Sequence, residues 1–162
     1  MNTKPTFKLQ GELVELRFMA RAAALGLRVA KPWGDSAPYD FLVEYGGIVY
    51  RVQVKSTRFR AARCRGFVCV TRRGGKPYTP KEVDFIAAYV VPDDAWYIIP
   101  ISAAGKEVSL NPRFRRNKYR RYREAWDLLI PERRNRSPHK RAGVARFGVH
   151  NRRYGRKPRR GR

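Results

Sequence analysis

The sequence predicts a single mixed α+β domain, and three observations carry that prediction. One long stretch with helical spacing opens the chain. Short strand-like runs bounded by turn signals follow it, and no block of the sequence repeats. At 162 residues, 43% of them hydrophobic, the chain has room for one ordinary core and little more.

The helix is expected over about 9–25. Leu9, Leu13, Leu16, Ala20, Ala23 and Leu27 recur at three- and four-residue steps, and Gly26 is a natural stop. Val14, Phe18 and Leu25 make a second apolar side, so Glu12 and Glu15 share a narrow remaining strip. Strands are expected over 41–45, 48–55 and 67–71, with Gly46-Gly47 as a tight hairpin turn between the first two. On the middle strand Val52 and Val54 point one way, and Arg51, Gln53 and Lys55 the other. A second pair is expected over 85–91 and 96–101, joined by Pro92-Asp93-Asp94. Residues 118–130 read as a final helix, with Tyr119, Tyr122 and Trp126 at helical steps and arginines between them.

Charge sets the class of partner. The chain carries a net charge of +24, which calls for a polyanion. Residues 1–112 hold 17 Lys and Arg against 10 Asp and Glu, whereas residues 113–162 hold 20 against 3. A boundary is therefore expected near Asn111-Pro112, with 113–130 packed on or extending the core and 131–162 as a flexible arginine-rich tail. That tail mixes arginine with Phe147, Tyr154, glycine and proline, a composition suited to tracking a DNA backbone or RNA. No strong amphipathic helix or long apolar run accompanies the charge, so no membrane role is expected. The first ten residues lack the apolar centre of a signal peptide, and a cytoplasmic, nucleoid-associated protein is expected. Cys64, Cys69, His139 and His150 lack the spacing of a zinc site.

The chemistry concentrates in residues 39–56, YDFLVEYGGIVYRVQVKS. Hydrolysis of a phosphodiester needs a cation that neutralises phosphate oxygens and a group that orients the attacking water. Hard cations such as Mg2+ take oxygen ligands from one or two carboxylates. Asp40 offers a carboxylate, the Gln53 side chain a neutral oxygen, and Lys55 an ammonium on the same strand face. Taken alone, a polar residue two before a lysine also describes many solvated sheet faces.

The run GELVELRFMARAAALGLRVAKPWGDSAPYDFLVEYGGIVYRVQVKST resembles the PD-(D/E)XK nuclease superfamily. The resemblance is to the small group related to group I intron-encoded homing endonucleases and, more distantly, to archaeal Holliday-junction resolvases. Its carriers are a helix with an acid ending in Leu-Gly, Tyr-Asp at the first strand and Gln-Val-Lys on the second. Val83-Asp84-Phe85 and Trp96 to Pro100 extend it to about residue 101.

The resemblance implies a restriction-endonuclease-like core, a mixed sheet flanked by helices, and metal-dependent cleavage of DNA. It implies that Asp40 is the central ligand of Mg2+, for which Mn2+ substitutes, and that Lys55 is the catalytic lysine. Gln53 stands where most of the superfamily has Asp or Glu, and Val54 contributes its backbone carbonyl. The helix acid is Glu15 by family spacing, while helical geometry leaves Glu12 open. A homodimer or homotetramer is implied in the same way. Noncatalytic nucleic-acid binding on a nuclease scaffold is the alternative function. Ser56, Thr57, Arg58, Arg60 and Arg63 follow Lys55, and Arg72, Arg73 and Lys76 flank Gly74-Gly75. Both groups are expected to hold phosphates.

Overall fold

The structure is a computed structural model and describes residues 6–60 and 66–131. The helix α1 spans Phe7–Ala24. The Thr6 hydroxyl caps it by accepting from the Leu9 N–H at 3.3 Å, and Gly26 ends it at φ 79°, a conformation that favours glycine. The strands are β1 (Arg28–Ala30), β2 (Phe41–Tyr45), β3 (Ile48–Thr57), β4 (Phe67–Val70), β5 (Arg72–Arg73), β6 (Lys76–Pro77), β7 (Phe85–Val90), β8 (Ala95–Pro100) and β9 (Glu107–Leu110). Five of them form one sheet in the order β1-β2-β3-β7-β8. Only β3 and β7 run parallel; the other neighbours are antiparallel. The β2–β3 hairpin turns through Gly46 and Gly47 at φ 60° and 83°, as a two-residue turn of that hand requires.

Each face of this sheet carries a core. On one, Val52 and Val54 of β3 with Ala87 and Tyr89 of β7 pack against Val14, Phe18 and Ala22 of α1. On the other, Ile86, Ala88 and Val90 meet Phe67 and Cys69 of β4 and Val108 and Leu110 of β9. The second layer is thus an antiparallel β4–β9 ribbon. Gly66 sits where this ribbon is tightest, since a Cβ there would lie 2.7 Å from the Leu110 carbonyl oxygen.

Two sequence expectations need correction. The longer apolar stripe of α1 is not its buried one: Leu9, Leu13 and Leu16 are exposed, while Val14, Phe18 and Ala22 are fully buried. The face with the large ring wins, because Phe18 stacks on Phe41 at 5.4 Å and meets Trp96 and Trp126 at 5.7 and 5.6 Å.

The expected helix over 118–130 is instead two short 3-10 turns, Arg120–Tyr122 and Trp126–Leu129. Between them Glu124 adopts φ 51°. Its N–H donates to the Trp96 carbonyl at 2.9 Å, and its carboxylate accepts from the Trp96 N–H at 2.8 Å and the Trp126 indole at 3.0 Å. Bonds to β8 thereby replace helical ones. The aromatic spacing still serves burial, since Tyr119 and Tyr122 enter one core and Trp126 and Leu129 the other. The described residues all belong to one compact unit that ends at Glu132, so the boundary expected near residue 112 falls inside it. The arginine-rich tail, with His139 and His150, lies outside the described residues.

Arg51 and Asp84 pin β3 to the start of β7. The Arg51 side chain donates to Asp84 Oδ2 at 3.0 Å and Oδ1 at 2.8 Å, and its backbone N–H donates to Oδ2 at 2.7 Å. The same guanidinium reaches the carbonyls of Pro80 and Lys81. Burial pushes the Asp84 carboxyl up, but these bonds outweigh it and hold it below its ordinary value.

We predict that Phe18→Ala lowers unfolding free energy by about 3–5 kcal/mol, measured by denaturant titration, whereas Leu16→Ala changes it by less than about 0.5 kcal/mol. The reverse ranking would place the other helix face in the core.

Candidate active site

Local strand geometry builds the centre of the site. Pairing of β2 with β3 ends at Phe41 opposite Val52, and the Asp40 N–H donates to the Val52 carbonyl at 3.0 Å. The next outward N–H on β3, that of Val54, has no β2 residue to meet. The Asp40 side chain takes it: Oδ2 accepts from Val54 N at 2.8 Å and from the Gln53 amide nitrogen at 2.6 Å. The same Gln53 nitrogen donates to the Val54 carbonyl at 3.2 Å, so Gln53 bridges the Asp40 carboxylate and a backbone oxygen.

An open hollow of about 280 Å³ lies over these groups, lined by Asp40, Gln53, Lys55, Glu15, Lys31 and Tyr78 among others. Gln53 is buried. Lys55 places its ammonium 5.5 Å from the centre of the Tyr78 ring. Glu15 reaches the hollow from α1 and accepts from Lys31 Nζ at 2.7 Å, an ion pair that raises the Lys31 pKa. Glu12 is exposed and does not line it. Burial raises the pKa of Asp40, against the pull of the Val54 N–H; the charge of Glu15 raises it further and Lys55 opposes. Burial above all therefore disfavours the ionised form of Asp40.

The expected phosphate-holding residues separate. Arg72 and Arg73 lie on β5 and Lys76 on β6, all exposed in a short hairpin, and Arg73 lines the hollow. Thr57 is buried, donates to the Val68 carbonyl at 2.7 Å and accepts from the Phe59 N–H at 3.3 Å. Its hydroxyl serves the backbone, which corrects the expectation that it meets phosphate. Ser56 points to the face opposite Lys55 by strand alternation. Arg58 donates to Gln10 on α1 at 2.6 Å. Arg60 stacks over Phe67 and borders a different hollow, with Asp93 and Arg113. Arg63 lies outside the described residues.

Lys31 and Tyr78 escaped the sequence reading. The only signal for Lys31 is its place in the polar Lys-Pro-Trp-Gly turn after β1, and no local pattern marks Tyr78. Among the described residues no group of three or more His, Cys, Asp or Glu is close enough to hold a metal. Any ligand set here must therefore use Gln53 or a backbone carbonyl beside the carboxylates.

Comparison with known proteins finds relatives for the chain as a whole. The PD-(D/E)XK endonuclease family matches residues 1–129. A solved bacterial homing endonuclease, I-Ssp6803I, is similar over 78% of this chain and 94% of its own, with 31% sequence identity and a TM-score of 0.67. No curated protein matches significantly.

Asp40 carries a pH prediction. Its folded pKa lies above the ordinary 3.8, so its ionisation costs stability progressively as pH rises from about 3.8 through the raised value, and below that window both states are protonated. Asparagine stays neutral and keeps a side-chain oxygen for the Val54 N–H. Asp40→Asn should therefore unfold at a higher temperature than wild type at pH 7, in the absence of divalent metal, with the gain vanishing near pH 3. A lower melting temperature for the variant at pH 7 would contradict it.

Proposed function

We propose, of a chain that belongs to the PD-(D/E)XK endonuclease family, that it is a metal-dependent endonuclease that hydrolyses phosphodiester bonds of DNA at the Asp40–Lys55 hollow. The observation that carries this is the convergence of Asp40, Gln53, Glu15 and Lys55 on one open hollow, with the Val54 carbonyl bonded to Gln53 beside it.

The oxygens there suit a hard divalent cation, and an ionised Asp40 under pressure from burial and from Glu15 is relieved by one. Asp40, Gln53, Val54 and Glu15 would hold Mg2+, or Mn2+ in its place. Such an ion supplies Lewis-acid polarisation of a phosphoryl oxygen and lowers the pKa of water. Gln53 presents its amide nitrogen to Asp40, so ligation through its oxygen requires the amide to turn. Glu15 must likewise share or release Lys31. Lys55 holds its ammonium where it can orient the attacking water and stabilise charge that develops on phosphate. As water adds to phosphorus, one P–O ester bond breaks and the leaving alkoxide takes a proton. The Arg72–Arg73 and Lys76 hairpin supplies phosphate contacts beside the hollow without base specificity.

One hollow cuts one strand, so cleavage of both strands calls for a homodimer or homotetramer. The exposed Leu9, Leu13 and Leu16 on one face of α1 are an apolar surface suited to pairing two copies. In the cell such a protein would be cytoplasmic and nucleoid-associated. Among the described residues, no helix is long and apolar enough to cross a membrane.

The Lys31–Glu15 ion pair and the neutral Gln53 favour a second reading, in which the scaffold binds nucleic acid without cutting it. Plasmid incubated with Mg2+ separates the two. The nuclease reading predicts nicked and then linear DNA from wild type, and at least a hundredfold less from Lys55→Ala or Asp40→Ala, on the scale of one lost catalytic group. Equal nicking by all three, or none by wild type while binding persists, favours the second reading.

A further inference from the structure

The loop that follows β1 carries a feature that cleavage chemistry does not use. Trp33 is 99% exposed, whereas the other two tryptophans, Trp96 and Trp126, are 5% and 4% exposed. An indole left wholly in water forgoes the burial that usually justifies so large an apolar side chain. Its immediate neighbours Lys31, Pro32 and Gly34 all line the Asp40–Lys55 hollow, which puts Trp33 on the rim.

The loop is braced at both ends. Lys31 is held by Glu15 at 2.7 Å, and the Ala37 carbonyl accepts from Arg73 of the β5–β6 hairpin at 3.3 Å. Pro32 restricts the backbone just before the indole, and Gly34 turns it just after, at φ 72°. The ring is thus presented on a restrained backbone, so little conformational entropy remains to be lost when it is engaged.

The surroundings identify what it engages. No other large apolar side chain between residues 17 and 44 is exposed, and most of the residues lining the hollow beside Trp33 are polar or charged. The hollow it borders carries the cations Lys31, Lys55 and Arg73 beside the acids Glu15, Asp35 and Asp40. A wholly exposed flat ring next to a hollow that offers Lys55 and Arg73 matches the alternation of base and phosphate in nucleic acid, where aromatic side chains stack on unstacked bases regardless of sequence.

We propose that Trp33 stacks on a nucleobase next to the phosphate held in the Asp40–Lys55 hollow, and that the preferred substrate is DNA in which that base is already unstacked or readily becomes so, as at a single-stranded or flexible step. This rests on the nuclease reading for the position of the phosphate. The indole selects the local state of the strand, while the cations hold its backbone.

Tryptophan fluorescence tests this without cleavage, because Trp33 is the accessible emitter. The full chain, without divalent metal, is titrated with oligo(dT) and with a duplex of mixed sequence, and quenching by neutral acrylamide is measured free and bound. The expected result is quenching of the exposed component on binding and loss of acrylamide access. Trp33→Ala should weaken oligo(dT) binding about ten- to a hundredfold while the dependence on salt stays the same, since phosphate contacts are unchanged. Trp33→Phe should recover most of the affinity. The buried Trp96 and Trp126 report whether each variant is folded. An indole that stays open to acrylamide in the complex, wild-type affinity in Trp33→Ala, or no binding of either nucleic acid overturns the proposal. If the nuclease reading alone fails, plasmid stays intact while protection of Trp33 persists. If stacking alone fails, cleavage still depends on Lys55.

Discussion

The Arg51–Asp84 fork is the constraint on which the rest of the domain depends. β3 and β7 are the one parallel pair among the described strands, and a parallel pair receives no register from a hairpin turn. Arg51 supplies that register through a bidentate ion pair, a backbone bond to the same carboxylate and two contacts to the connection before β7. With β3 set one way, Val52 and Val54 face α1 while Gln53 and Lys55 face away. A slip of one residue would exchange the two sets and bury the lysine.

From that register the site follows. β2 covers β3 only as far as Val52, and Asp40 carries the pairing on to the Val54 N–H with its side chain. The cost is a carboxylate raised by burial, with Glu15 adding to the strain and Lys55 relieving part of it. Perturbed groups beside an open hollow are where chemistry tends to lie, and here burial first, with the charge of Glu15 adding to it, disfavours the ionised Asp40. Gln53 moderates it by donating to Asp40, which an acid at that position could not do without holding a proton.

What was legible in the sequence was what period and turn chemistry determine locally. The β2–β3 hairpin, the alternation along β3 and the β7–β8 pair could all be read from spacing, while Asp40 and Gln53 were brought together by the resemblance to a nuclease family. The buried face of α1 could not, because two apolar stripes compete and only the rings of Phe41, Trp96 and Trp126, distant in sequence, decide for Phe18. The segment after residue 117 has helical spacing, yet Glu124 finds partners on β8 that a helix would forgo. Thr57 and Lys31 likewise take their roles from residues eleven and sixteen positions away, beyond any local pattern. β1, β9 and the β5–β6 hairpin are too short to show a period of two.

Asp40, held at the end of β2 and disfavoured as an anion by burial and by Glu15, is the residue we propose as the seat of a divalent cation. Titration of Mn2+ into the full-length protein, followed by electron paramagnetic resonance of the free ion, measures it most directly. The account predicts saturable binding of Mn2+ that is lost in Asp40→Asn and tightened in Gln53→Glu, which restores a negative charge beside it. Equal Mn2+ binding by wild type and Asp40→Asn would contradict it.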